Sequence, residues 1–457
     1  QTSTVEPGGI DPLGGPPQSP LKREFGTLVN SELPSKRILG GFRDMPRNVW
    51  ILSGISFGVA IGFGVVVPVL PLFAASFGVN AGAVAAVVSA FALMRFVFAP
   101  VVGRLTDRWG HRLVLLAGVG IVAVSSLAVG FAQSYAQMIV LRGLGGIGSA
   151  MFTVSSMTIL LGSVGPERRG RASAFYQGAF LIGVTAGPGL GGLFGAISLR
   201  APFFFYAATL GCAALVALGL QPIAGGGEVR QSGGEVGKEG SEVRDGGEVR
   251  QGGDRTASAK PSQPWPQVLR DRRYQAALVA HLVQGWNANG TRAVLIPLFA
   301  AAYLADEASG AALGTGIALS VGAAVQMAAV WPSGLVVDRF GRRLPMIAGA
   351  LVSGLTLALL PLSRSFAALA LVLAAYALGS ALMGTAPTAL VGDSAGPGGT
   401  RAIAVYSMAG DLGSVVGPLA AGYLAGWLSY GAAFAVGAVM WVASAVLSAA
   451  MKRADRT

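Results

Sequence analysis

Gly103-Arg104-Leu105-Thr106-Asp107-Arg108-Trp109-Gly110-His111-Arg112 is answered 231 residues later by Gly334-Leu335-Val336-Val337-Asp338-Arg339-Phe340-Gly341-Arg342-Arg343. Each copy is flanked by apolar sequence of membrane length. A second pair of echoes follows at a shift of 230, with Gly183, Gly187, Pro188, Gly191 and Gly192 matched by Gly413, Gly417 and Pro418. A repeat of this length, written in lipid-soluble segments, predicts two homologous half-bundles around a shared axis, an arrangement found in many transporters.

Composition agrees. Hydrophobic residues make up 53% of the chain and charged residues only 12%, which excludes an ordinary soluble domain. The 68 glycines would weaken helices in water but suit membrane helices, where small side chains allow close approach of backbones. The net charge of +12 does not point to nucleic acid, because the basic residues sit beside apolar spans rather than on one soluble face. The single cysteine, Cys212, has no partner for an internal disulfide. Two histidines, one cysteine and scattered acids give no metal cluster and no nucleophile-base set, so neither an enzyme nor a cofactor is expected. No phosphate-binding loop of a nucleotide-driven pump is present either.

Twelve apolar runs are predicted as helices, six per half, most of them long enough to cross ~30 Å of hydrocarbon. The expected fold is therefore an all-α membrane protein with 12 transmembrane helices in two pseudo-symmetric six-helix bundles. The divisions read as a disordered tail over 1–47, an N-terminal bundle over 48–221, a flexible Gly-rich linker over 222–270, a C-terminal bundle over 271–452 and a tail over 453–457. Within the linker Glu-Val-Arg recurs from positions 228, 242 and 248 between glycine runs. No cleavable signal peptide is expected, and Met45 would be a natural internal start. Connections after helices two, four, eight and ten are rich in arginine, among them Arg168, Arg169, Arg171 and Arg401. By the positive-inside rule that face, both termini and the linker are cytoplasmic in a cell membrane.

The stretch Gly103, Arg104, Asp107, Arg108, Gly110, Arg112, with its echo Asp338, Arg339, Gly341, Arg342, Arg343, resembles the signature of the major facilitator superfamily. The resemblance covers residues 48 to 452. It implies a cytoplasmic latch between the halves, closed when the site faces outward. The plainer reading is that Arg108 and Arg112 anchor topology, and both readings can hold together. In helix four, Arg142 followed by Gly143, Gly145, Gly146 and Gly148 is similar to a second motif of the family, which implies a part for Arg142 in proton coupling. Gly145 stands where the motif has glutamine. The helix-five pattern from Gly183 to Gly192 resembles the antiporter motif of the family's 12-helix drug:proton efflux branch. Its glycines would present a flat stripe to a neighbouring helix, and Pro188 would bend the rod.

Proton coupling needs an acid in the pathway, and Asp411 lies about 15 Å deep from the arginine-rich face at 1.5 Å per residue. Arg95 lies about 12 Å deep by the same measure. In this superfamily helices two and eleven pack across the halves, so Asp411 and Arg95 are expected to meet as a gate. Gln284, Asn287 and Arg292 of helix seven are expected to line a central cavity, with Tyr176, Gln177 and Tyr406 as further candidates, although the matched tyrosines also read as packing relics of the duplication. His281 reads as an interfacial residue. Helix one carries no acid, so the buried charge leans positive and hints at anionic or zwitterionic substrates.

The favoured function is a monomeric secondary transporter that exports small organic molecules by proton antiport through alternating access. The alternatives are an uncoupled or uptake facilitator of a small anionic or zwitterionic metabolite, and a non-transporting membrane receptor.

Overall fold

The computed structural model describes residues 45–165, 168–221, 265–305, 308–395 and 400–451. The tail before residue 45 and most of the expected linker, 222–264, lie outside the described residues. From Arg47 onward the chain clusters as one compact unit. Among its described residues it holds twelve helical rods. The first half holds α1 (Arg47–Val66, resumed over Leu70–Ala75 past Pro68), α2 (Ala81–Trp109), α3 (His111–Gly130), α4 (Tyr135–Gly162), α5 (Arg169–Ile197) and α6 (Ala201–Ala217). The second holds α7 (Arg272–Tyr303), α8 (Ala308–Phe340), α9 (Arg343–Leu359), α10 (Phe366–Ala395), α11 (Thr400–Trp427) and α12 (Tyr430–Ala449). Among the described residues nine helices are long and apolar enough to cross a membrane. The other three are α6, which is 17 residues long, α7, which is interrupted, and α11, which carries Asp411 near its middle.

The duplication seen in the sequence is reproduced in the packing. In the first half α1 packs on α5 and α6, α3 on α4 and α6, and α2 on α4; in the second, α7 packs on α11 and α12, α9 on α10 and α12, and α8 on α10. Advancing every number of the first set by six gives the second. The halves meet along α2/α11 and α5/α8, and these two seams are also exchanged by that operation. This is the approximate two-fold relation that a gene-length internal repeat imposes on a bundle.

Two boundaries differ from the sequence reading. The apolar runs end near residues 103 and 335, but α2 continues to Trp109 and α8 to Phe340, so Gly103 and Gly334 are helical and the turns are made by one residue, Gly110, and by two, Gly341 and Arg342. Gly110 and Gly341 adopt φ of 79° and 77°, a left-handed conformation that costs glycine little. The second difference lies in the expected flexible linker, whose last six residues, Trp265–Arg270, form a short helix. Val268 is buried in the core of the second half, which anchors this segment, and the Asp271 carboxylate accepts from the Arg273 amide to start α7.

Candidate functional site

The seams are built from small residues. Along α5/α8, Gly195 faces Ala312, Gly192 lies against Ala312 and Leu313, Gly189 faces Ser320, and Thr185 reaches the Met327 sulfur at 4.0 Å. Along α2/α11, Gly82 faces the Tyr423 ring, Gly422 lies against Ala81 and Ala85, and the Ser89 hydroxyl donates to the Val415 carbonyl at 2.7 Å. These contacts run from the ends of the helices remote from the arginine-rich turns to about their middles. Toward the arginine-rich face the seams are exposed: Val97 and Val101 on α2, Gln177 on α5 and Trp331 on α8 all present surface, and a side chain at Gly178 would meet nothing within 4 Å. The structure thus has the halves apposed at one face and a cleft at the other.

Arg95 and Asp411 stand where the α2/α11 seam begins to open. The Arg95 Nη2 lies 3.9 Å from the Asp411 Oδ1, and the side chains are 45% and 44% exposed. Asp411 is one helix turn beyond Val415 and Arg95 nearly two beyond Ser89, so the ion pair is the last rung of the seam before the cleft. An ion pair this wet is worth about 1 kcal/mol or less, enough to bias an equilibrium but not to lock it. On α7, the His281 ring stacks on Tyr406 at 4.1 Å between centroids and lies within electrostatic range of Asp411. Three ionisable groups from α2, α7 and α11 therefore share one mouth. The sequence reading placed His281 near the interface and gave no reason to join it to Asp411, since they lie 130 residues apart.

Helix α7 is divided by a π-helical segment, Asn287–Leu295. Its composition explains why the α pattern fails there: two asparagines, Gly290 and Thr291 are weak helix formers, and Pro297 has no N–H to return to the Ala293 carbonyl. The Ile296 amide instead bonds to Thr291, five residues back. Such segments shift the azimuth of every following side chain and often mark functional sites. The shift separates residues that spacing had grouped together. Asn287 is wholly buried: its amide donates to the Val283 carbonyl, its oxygen accepts from the Thr291 hydroxyl, and it faces Gly437 of α12. It braces the π segment and does not line the cleft, contrary to expectation. Gln284 points toward Gly384 of α10, and its Oε1 is buried without a hydrogen-bond partner among the described residues. Arg292 lies on the side of α7 that faces α8, where its Nη1 donates to the Gln326 oxygen at 3.2 Å and Gln326 donates on to Ser380 at 3.3 Å.

The matched tyrosines play matched parts. The Tyr176 hydroxyl pairs with Ser156 of α4 at 3.0 Å, and Tyr406 pairs with Thr388 of α10 at 3.2 Å. Both are largely buried, while Gln177 is exposed toward the cleft. Arg142 is 5% exposed, with its guanidinium 4.5 Å from the centroid of the Phe91 ring and its Nε unpartnered among the described residues. A cation on an aromatic face recovers part of its solvation. Gly146 and Gly148 let α4 approach the backbones of α2 and α3, which places Arg142 one turn from the gate residue on α2.

The signature arginines are also placed symmetrically. Arg112 donates to the Leu218 carbonyl at 2.6 Å and Arg343 donates to the Ala449 carbonyl, so each caps the C-terminal end of the last helix in its own half. Asp338 lies 4.0 Å from Arg342 on the same turn, and Asp107 is exposed with no ion-pair partner among the described residues. The antiporter-motif glycines Gly183, Gly187 and Gly191 pack on Ala60, Gly64 and Val65 of α1, while Gly413 and Gly417 pack on Leu282 and Trp286 of α7. The flat stripe thus serves the helix pair within each half, while Gly192 and the Pro188 carbonyl lie against Gly316 of α8.

Two like bundles joined along two seams, with nine helices among the described residues long and apolar enough to cross a membrane, define a multi-pass membrane fold. The chain belongs to the Major Facilitator Superfamily, whose sequence model matches residues 52–291 and 282–457. It is 29% identical over 173 residues to the quinolone resistance protein NorA of Staphylococcus aureus (strain MRSA252), a stretch covering 38% of this chain and 44% of that protein. It is 30% identical over 159 residues to multidrug resistance protein 1 of Bacillus subtilis (strain 168), covering 35% and 41% of the two chains. The chain thus spans less than half the length of the curated relatives it matches. Among solved structures, a variant of the nucleoside transporter NupG aligns with a TM-score of 0.67 at 14% identity over 89% of this chain and all of that one. A bacterial homologue of the human lysosomal transporter Spinster aligns with a TM-score of 0.62 at 16% identity, over 88% and 94% of the two chains. At these identities the structural matches speak to the fold alone.

Proposed function

We propose that the protein exports small organic molecules in exchange for protons, rocking its halves about the two seams so that the cleft opens first to the cytoplasm and then to the exterior. The observation that carries this reading is the Arg95–Asp411 pair, an acid and a base from opposite halves held at 3.9 Å where the seam gives way to the cleft. Ionised Asp411 attracts Arg95 and draws α2 and α11 together; a proton on Asp411 removes that attraction and favours the cleft open to the arginine-rich, cytoplasmic side. Proton loading from outside would then return the empty carrier inward, and proton loss to the cytoplasm would permit closure over substrate. Asp107, Arg108 and their counterparts in the second half form a latch that engages on closure. Arg142 holds the interior of the first half positive beside the gate helix. One chain contains both halves of the pathway, so a monomer suffices.

Resemblance to the two drug-resistance proteins supports an efflux substrate of drug size, and the direction follows from the same likeness. Proteoliposomes in which the purified protein faces a known way provide the test. An imposed proton gradient should drive accumulation of an anionic or zwitterionic fluorescent dye against its concentration, and a protonophore should abolish it. Equal dye equilibration with and without the gradient would reduce the protein to a facilitator.

A further inference from the structure

The repeat that relates the halves also shows where they differ. On α5 and α11, Gly183 lies against the Phe57 carbonyl and the Ile61 amide, and its counterpart Gly413 lies against the Leu282 carbonyl and the Trp286 amide. Positions on α1 therefore map onto α7 at a shift of 225, and Ser56 maps onto His281. In the first half Ser56 is wholly buried beside Tyr176, whose hydroxyl pairs with Ser156. In the second, the His281 ring covers Tyr406 at 4.1 Å between centroids, and Tyr406 pairs with Thr388. The tyrosine and its hydroxyl partner are kept, while a neutral serine gives way to a titratable imidazole. Two further exchanges accompany it at the shift of 230, Phe180 to Gly410 and Leu181 to Asp411. Gly410 makes the room, since a Cβ there would run into the His281 Nε2; the bare backbone lets the imidazole lie against α11 at the residue next to Asp411. The first half packs without any of the three. Together they set a basic ring beside the acid of the gate.

We propose that His281 is a second proton-bearing residue of the gate, one that competes with Arg95 for the Asp411 carboxylate. With the ring neutral, the attraction of Asp411 is to Arg95 and spans the α2/α11 seam. When the ring takes a proton from water in the cleft, the imidazolium offers Asp411 a second cation on α7, in its own half. The pull across the seam is then shared, α2 is released and the arginine-rich face opens; return of the proton to the water restores the seam. An imidazole suits this task because its charge ordinarily changes between about pH 5 and 8. Around the ring stand Tyr406 and Asp411 of α11, with Arg95 of α2 beyond the carboxylate. At this depth α10 presents the neutral Thr388, and α12 presents no titratable side chain among the described residues. The inference rests on the proton-driven reading above and adds a residue to it.

The test is the distance between spin labels at Ala174→Cys and Leu335→Cys, across the arginine-rich end of the α5/α8 seam, in the full chain with Cys212→Ser, purified in detergent. Between pH 8 and pH 5 the ratio of long to short distances should rise about fivefold or more, the lower end of a typical coupling between sites. His281→Gln, polar but never charged, should hold the short-distance population throughout. His281→Lys, charged throughout, should hold the long-distance one. A ring that only packs would leave the pH response in place when glutamine replaces it. A response that survives His281→Gln, or a wild-type distance that ignores pH, would overturn the proposal. Should His281→Lys fail to fold, the wild type and His281→Gln still decide. Dye accumulation under a proton gradient separates the two claims. Coupled transport together with an unaltered pH response in His281→Gln refutes only the part given to the imidazole, whereas absence of coupling in the wild type overturns both.

Discussion

Asp411→Asn is expected to abolish proton-driven transport while leaving passive exchange of substrate intact. Asparagine preserves the size of the side chain and its hydrogen-bonding reach, so the α2/α11 seam keeps its Ser89–Val415 bond and its glycine contacts. What is lost is the charge that Arg95 faces at 3.9 Å. Without it the attraction between the helices no longer depends on a proton, and uptake or loss of a proton has no lever on the halves. Gradient-driven accumulation in proteoliposomes should fall to the level reached without a gradient. Counterflow of labelled against unlabelled substrate should continue. Asp411→Glu should retain coupling. His281 shares the mouth of the cleft, so His281→Gln in the same assay reports whether the imidazole takes part of the proton traffic. Undiminished accumulation by Asp411→Asn would refute the gate.

Gly187→Leu is expected to have the largest effect on folding. A Cβ at this position would lie 2.7 Å from the Gly64 carbonyl carbon and 2.9 Å from the Ile61 carbonyl oxygen, and both are backbone atoms that cannot rotate aside. The α1 and α5 axes would have to part, which costs about 1–3 kcal/mol and removes the close packing that stands in for a hydrophobic driving force between membrane helices. The variant should show a clearly lower Tm in detergent and little transport. Gly178→Ala, on the same helix, should be silent or slightly stabilising, because its Cβ meets open space and alanine is the better helix former. Wild-type Tm for Gly187→Leu would mean that the motif is not a packing stripe.

Much of this architecture was legible in the chain because depth along a helix is a matter of counting. With a rise of 1.5 Å per residue, Arg95 and Asp411 could be given matching depths, and the structure brings them within ion-pair distance. That the two helices meet at all came from family resemblance, since spacing within one strand of sequence carries no information about pairing across 300 residues. Azimuth was less legible. Counting at 3.6 residues per turn put Asn287 on one side of α7 with Gln284 and Arg292, but a π segment beginning at Asn287 breaks that register for the residues after it, and Asn287 itself packs inward against Gly437. Pro297 and the weak helix formers before it were the available signal.

Gln326, Tyr376 and Ser380 were invisible for another reason. Each is an isolated polar residue in an apolar helix, and only the packing of α8 on α10 gathers them around Arg292. Likewise the arginines of the repeated signature were recognised as a group, yet their division of labour was not. Arg112 and Arg343 cap α6 and α12 within their own halves, a role that depends on where those helices end.

The rocking of the halves is most directly measured by distances between spin labels in pairs placed across the α5/α8 seam, in a chain whose exposed native Cys212 is replaced by serine. Labels at Ala174→Cys and Leu335→Cys report the arginine-rich face, and labels at Ile197→Cys and Gly310→Cys report the opposite one. Replacing Asp411 with Asn should lengthen the first distance and shorten the second together, because the charge that draws the open face shut is gone. Distances that stay fixed on this replacement, or that change in the same sense at both faces, would contradict alternating access in this protein.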